Sequence, residues 1–125
     1  MAGKFEIKAR DKGNYSFALK AGNGEVIAVS PQYASLATCK KGIESVRRCA
    51  VAAKLEDQTA ENYAAVTNPK FEIYKDKAGE FRFRLKARNG EVIATGEGYS
   101  SKAGCSNGIE SIRKNAPEAT VVLPE

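Results

Sequence analysis

Hydrophobic and polar residues alternate with period two from the start of the chain. Phe5, Ile7 and Ala9 fall on one side, and Lys4, Glu6, Lys8 and Arg10 on the other. Such alternation predicts a strand with one buried face. After a polar turn at Asp11-Lys12-Gly13-Asn14 the rhythm resumes, with Tyr15, Phe17, Leu19 and Ala21 alternating with Ser16, Ala18 and Lys20. Gly22-Asn23-Gly24 predicts a hairpin, because Asn-Gly tolerates the positive φ of a tight turn, and a third strand follows over residues 25–30. The period then becomes helical. Ser35 is placed as an N-cap, and Cys39, Ile43, Val46 and Ala50 recur on one stripe. Lys54-Leu55-Glu56 fits a short fourth strand.

The same pattern is then written again. Residues 4–50 and 70–116 align without a gap at an offset of 66, with 25 of 47 positions identical, so the chain is a tandem structural repeat. In the second copy Phe81, Phe83, Leu85 and Ala87 alternate with Arg82, Arg84, Lys86 and Arg88. Residues 91–96 repeat the third strand, Ser101 the cap, Cys105, Ile109, Ile112 and Ala116 the helical stripe, and Thr120-Val121-Val122-Leu123 the fourth strand. Asn107-Gly108 has the look of a hairpin turn, but its mate Lys41-Gly42 lies inside a continuous amphipathic pattern, and the periodicity decides for helix. A mid-helix glycine costs about 1 kcal/mol relative to alanine. Its presence in both copies predicts a close approach of helix to sheet, and Pro117 ends the second helix.

The register of the third strand has two solutions. A two-residue Asn-Gly turn sets Leu19 opposite Ala28 and turns Ile27 outward. A three-residue loop with a bulge at Gly24 reverses the faces, since a slip of one residue exchanges them. The bulged loop is favoured, because burying Ile27 and Ile93 is worth more than burying Ala28 and Ala94.

These readings give an α+β chain built as βββαβ twice: residues 1–57, a linker over 58–69 ending in Asn68-Pro69, and residues 70–125. A single half would be marginal alone, because small domains leave so much surface wet. The two halves are therefore expected to form one structural unit around a shared core.

Composition changes this picture little. At 42% hydrophobic and 28% charged residues the chain is an ordinary globular one rather than a disordered one. No apolar run approaches the roughly 20 residues that cross a bilayer, and Met1-Ala2-Gly3-Lys4 leads straight into strand-like sequence, so a cytoplasmic monomer away from the membrane is expected. Cys39 and Cys105 are repeat equivalents in helical sequence and Cys49 is an unmatched third. An odd set suits a reducing compartment, each thiol serving as a small buried hydrophobe. The net charge of +5 allows an anionic partner without demanding one.

The pieces Phe-Glu-Ile, Phe-x-Leu-Lys-Ala (residues 17–21 and 83–87), Asn-Gly-Glu-Val-Ile-Ala, Tyr-Ala/Ser-Ser (33–35 and 99–101) and Gly-Ile-Glu-Ser resemble the YegP-like proteins, small uncharacterised bacterial and archaeal proteins made of tandem repeats. The resemblance covers nearly the whole chain. It implies one antiparallel sheet with both helices on one face and C-terminal strands exchanged between repeats, and it brings no activity or catalytic residue. The first helix departs from the pattern, running Cys49-Ala50-Val51 where Asn-Ala-Pro is usual, and is expected to be longer.

For chemistry, absences carry most of the information. The chain has no histidine, which removes His-dependent triads, Cys-His dyads and His metal sites together. Gly22-Asn23-Gly24 leads into a strand rather than a helix and lacks phosphate-cradling geometry. No enzyme activity, cofactor or metal is expected, and the repeated Glu6/Glu72, Glu25/Glu91 and Glu44/Glu110 read as solvated faces. The best positive feature is the row Arg82, Arg84, Lys86 and Arg88, spaced by ~7 Å on one strand face, with Tyr74 on the same side as a stacking surface. Two functions follow. The leading one is a binding module that takes a protein or peptide partner on the helix-free sheet face; the alternative is electrostatic binding of RNA or single-stranded DNA along the basic row. Tyr33 and Tyr99, repeated between strand and helix, either anchor that loop or line a small cleft.

Overall fold

The computed structural model of the chain describes residues 3–124. Strands β1 (Lys4–Ala9), β2 (Tyr15–Lys20) and β3 (Val26–Val29), helix α1 (Leu36–Ala52) and strand β4 (Lys54–Asp57) form the first repeat. Strands β5 (Lys70–Lys75), β6 (Phe81–Lys86) and β7 (Val92–Thr95), helix α2 (Lys102–Asn115) and strand β8 (Thr120–Val122) form the second. All eight strands lie in one sheet, in the order β4-β5-β6-β7-β3-β2-β1-β8.

That order shows the exchange. β4 of the first repeat pairs with β5 of the second, and β8 of the second pairs with β1 of the first. Both edge pairs are parallel, which corrects the expectation of an antiparallel sheet; only the six inner strands run antiparallel. Parallel neighbours need a crossover of about a dozen residues, and residues 58–69 provide it between β4 and β5. The two halves meet in the middle through the pair Val29 and Thr95.

Alternation decides the faces as the sequence predicts. Phe5, Ile7, Phe17, Leu19, Phe71, Ile73, Phe83 and Leu85 turn to the helices and join one buried core with Ile43, Val46, Ile109 and Ile112. Each helix contacts strands of both repeats: α1 packs on β2, β6 and β7, and α2 on β3 and β6. The halves therefore share one core. Ser35 caps α1 through a reciprocal pair with Thr38, and Ser101 accepts from the Gly104 N–H to cap α2. α1 is the longer helix, 17 residues against 14, as expected from its missing proline. In α2 Pro117 cannot donate, and the chain tightens into a short turn over Ala116–Glu118.

The hairpin loops answer the register question in part. Gly24 takes a φ of 88°, its N–H donates to the Ala21 carbonyl at 2.9 Å, and the Ala21 N–H donates to Glu25 O at 2.9 Å. This is the expected three-residue loop. The expected consequence, Ile27 in and Ala28 out, is corrected: Lys20 pairs with Val26 but Leu19 with Ala28, so Ile27 is an inserted residue and both Ile27 and Ala28 are buried. The second copy repeats this bulge at Ile93. A bulge places two residues opposite one and so satisfies both hydrophobic demands.

Candidate functional site

The polar halves of the strand alternations gather on the face away from the helices. One row crosses the whole sheet: Glu56, Glu72, Arg84, Thr95, Val29, Ala18, Glu6 and Val122 are successive cross-strand partners. The next row reads Lys54, Lys70, Lys86 and Val92 on one side of the seam, and Val26, Lys20, Lys4 and Thr120 on the other. Tyr74 and Arg82, and Lys8 and Ser16, form a third.

In each half a glutamate sits beneath lysines. Glu72 is buried and receives Lys70 at 3.1 Å, Lys86 at 3.3 Å and the Arg84 guanidinium. Burial alone would raise its pKa, but hydrogen bonds from Arg84 and Lys70 outweigh burial and hold the carboxyl below its ordinary range. Glu56 is also buried, bonded by Lys70 at 2.8 Å, Gln58 at 2.7 Å and the Val66 N–H at 2.9 Å. With Lys70 as the main cause its pKa falls to about 2, while the two carboxylates raise that of Lys70. In the first half Glu6 receives Lys20 at 3.1 Å, which lowers its pKa, and Lys8 stands 3.8 Å away.

This arrangement revises the basic row. Arg82, Arg84 and Lys86 do stand on one face of β6, but none is free: Arg82 holds Asp76 at 2.6 Å, and Arg84 and Lys86 share Glu72. Arg88 leaves the row. β6 ends at Lys86, and Ala87 opens the hairpin by accepting the Gly90 N–H at 2.9 Å, so Arg88 is a turn residue on the helix side of the sheet rim. Tyr74 lies on the expected face, but the Arg84 guanidinium covers its ring at 4.5 Å. Sequence reading missed Lys54, Lys70 and Glu56 as parts of this face, because only strand exchange brings β4 alongside β5.

Tyr33 and Tyr99 are placed as loop anchors. Tyr33 pairs with Tyr15 through reciprocal backbone bonds of 2.6 and 2.8 Å, stacks on Phe17, and sets its hydroxyl against Gly42. Tyr99 does the same with Phe81, Phe83 and Gly108. The helix glycines therefore make room chiefly for a tyrosine, and at Gly108 also for the Phe83 ring of β6, so the expected close approach to the sheet is made through these side chains. Burial raises both phenol pKa values. Tyr99 also borders a cleft of about 260 Å³ with Asn23, Glu25 and Asn107.

All three thiols are free and buried; burial raises the pKa of Cys39 and pushes that of Cys105 up to about 11, which makes these two poor nucleophiles. Among the described residues no group of acidic, cysteine or histidine side chains is arranged to hold a metal, and no helix is long and apolar enough to cross a membrane.

Residues 11–57 and 76–122 each match a family described as a domain of unknown function, DUF1508. The chain belongs to that family. A DUF1508 relative from Treponema denticola, a UPF0339 protein, is 77% identical over 53 residues, which make up 42% of this chain and 91% of that one. YegP of Yersinia pestis is 40% identical over 113 residues, covering 90% of this chain and 88% of its own. The family thus includes chains one repeat long and chains two repeats long. The solution structure of YegP from Escherichia coli superposes with a TM-score of 0.80 at 32% identity over 98% of this chain and 93% of that one. UPF0339 protein SO3888 from Shewanella oneidensis superposes with a TM-score of 0.78, also at 32% identity, over 98% and 92%.

Proposed function

We propose that the chain is a non-enzymatic binding module of the cytoplasm whose helix-free sheet face docks an extended, acidic protein segment. One observation carries this reading. Lys4, Lys8, Lys20, Lys54, Lys70, Arg82, Arg84 and Lys86 face Glu6, Glu56, Glu72 and Asp76 there, with Glu80 near Arg82, and an uncharged seam of Val26, Val29 and Val92 runs between the two clusters. Val29 is 44% exposed at the centre of that seam. A segment with an apolar middle and acidic flanks matches both features. Charge complementarity of this kind governs register and association rate more than raw affinity. Single-stranded nucleic acid is the weaker reading, because Tyr74, which would stack a base, is already covered by Arg84.

Amide-shift titration of the labelled chain with a synthetic peptide of acidic flanks and a leucine centre tests this, run beside anisotropy with a labelled single-stranded oligonucleotide at low and physiological salt. The expected result is peptide shifts around Lys4, Val29, Lys54 and Val92 that shrink with salt, with about tenfold weaker binding for Lys4→Glu combined with Lys54→Glu. Absence of shifts at low salt refutes the docking face. Oligonucleotide binding that falls steeply with salt and is lost in Arg82→Glu replaces the peptide with nucleic acid.

A further inference from the structure

The last turns of α1 from the first repeat meet the β6–β7 hairpin of the second around a cavity of about 530 Å³ lined by Arg48, Arg88, Ser45, Asn89, Pro69 and Ala87. This is the size of a small-molecule site, and it lies on the helix side, apart from the face discussed above. Among the described residues no carboxylate lines it. Among the described residues Arg47, Arg82, Arg84 and Arg113 each have an acidic partner (Glu44, Asp76, Glu72 and Glu110), and Arg10, which has none, donates to the Ser16 hydroxyl at 2.8 Å. Arg48 and Arg88 have none among the described residues. Folding thus brings two exposed guanidiniums from different repeats to one hollow, with Glu44 bordering Arg48 on its outer side.

The polar neighbours are suited to an anion as well. The Asn89 side-chain oxygen is occupied by the Glu91 N–H at 3.0 Å, which leaves its amide hydrogens to donate. Ser45 adds a hydroxyl, and Pro69 and Ala87 form an apolar wall beside these donors. The repeat supplies an internal comparison. The corresponding junction, around Ala21, Asn23 and Ser111, keeps the asparagine, serine and alanine, but Gly22 stands in place of Arg88 and Lys114 in place of Arg48, and Glu25 joins its lining. The shared frame is structural, and the arginine pair is an addition to one copy.

We infer that this cavity binds a small phosphate monoester, the dianionic phosphate held between Arg48 and Arg88 and the carbon body lying on Pro69 and Ala87. Two guanidiniums match a phosphate because each can donate two parallel hydrogen bonds to it. A monoanionic carboxylate would leave one of them unpaired.

The test is an amide-shift titration of the full chain with inorganic phosphate and with phenyl phosphate, against sodium chloride at matched ionic strength. Saturable shifts of Ser45, Cys49, Asn89 and Gly90 are expected, at lower concentration for phenyl phosphate than for inorganic phosphate. Arg48→Ala combined with Arg88→Ala should weaken binding by about tenfold or more. Should that pair fail to fold, Arg88→Gly copies the hairpin already present at Gly22 and gives the same readout. Shifts that never saturate, that sodium chloride reproduces, that survive Arg88→Gly unchanged, or that centre on Lys4 and Lys70 instead would overturn the site.

Discussion

The Tyr99 hydroxyl occupies the space that a side chain at residue 108 would need: a Cβ built on Gly108 would lie 2.5 Å from Tyr99 Oη and 3.1 Å from the Phe83 ring. The glycine is therefore kept against its own helix propensity. Gly108→Ala gains about 1 kcal/mol of propensity but must displace a ring wedged against Phe83, an overpacking cost of about 1–3 kcal/mol. The net expectation is a loss of about 1 kcal/mol in urea unfolding. Tyr99→Phe in the same chain should recover part of that loss. Equal or higher stability for Gly108→Ala alone would show that the tyrosine yields freely.

Glu56 is the latch of the exchanged β4. It is buried, accepts from Lys70, Gln58 and the Val66 N–H, and ties the first repeat's last strand to the second repeat's first. Glu56→Ala should cost about 2 kcal/mol, since it strips partners from buried donors. Urea midpoints with unchanged slope would measure it, and a change under about half a kilocalorie would remove the latch.

Acid should release the same latch. The folded-state pKa of Glu56 is about 2, below the ordinary carboxyl value of 4.5, and that of Glu72 is also lowered. A depressed folded pKa gives stability that is present above the unfolded value and lost as pH falls through the folded one. Stability should therefore decline from about pH 4.5 toward pH 2, and Glu56→Gln should flatten that limb while lowering the neutral plateau. An acid limb of unchanged steepness in Glu56→Gln would assign the loss to other carboxylates.

Much of this was legible from residue order. Alternation located the six inner strands and the faces of β1, β2, β5 and β6, Ser35 and Ser101 marked the helix starts, and the missing proline foretold the longer α1. Other features needed geometry. Period-two patterning cannot show an inserted residue, so Ile27 and Ala28 read as rivals for one buried place when a bulge seats both. Arg88 continues the alternation of Arg82, Arg84 and Lys86 in sequence but leaves it in space, because the turn begins at Ala87. Which cations are already paired depends on neighbours brought by distant segments, as Glu72 is by Lys70 and Arg84. Arg48 and Arg88 lie 40 positions apart on different repeats, and nothing local announces that they share a hollow.

A single-repeat chain lacks both exchanged partners. In the first half β4 pairs with β5 and β1 is bordered by β8, neither of which belongs to it. A fragment of residues 1–57 should therefore fold only by pairing with a second copy, the arrangement implied for relatives one repeat long. Sedimentation should give a dimer whose melting temperature rises with concentration. A cooperative, well-dispersed monomer would contradict it.

The two exchanged strands should differ in strength. β8 occupies the position of β4, but Val122 stands where Glu56 does, and Lys4, the repeat mate of Lys70, has no ion-pair partner among the described residues. β8 is three residues long, exposed throughout, and held from the helix side by Arg47 donating to the Ala119 carbonyl at 2.7 Å. Its amides should exchange at least about tenfold faster than those of Leu55 and Glu56, because strands with few buried contacts open locally. Val122→Glu rebuilds the missing carboxylate opposite Glu6 and beside Lys4 and Lys20. If lysine pairing is what secures β4, this variant should slow exchange at Val121 and add about 0.5 kcal/mol of stability. If repulsion from Glu6 dominates instead, exchange there will quicken, and the strength of β4 must come from the bonds of Gln58 and Val66 rather than from Lys70.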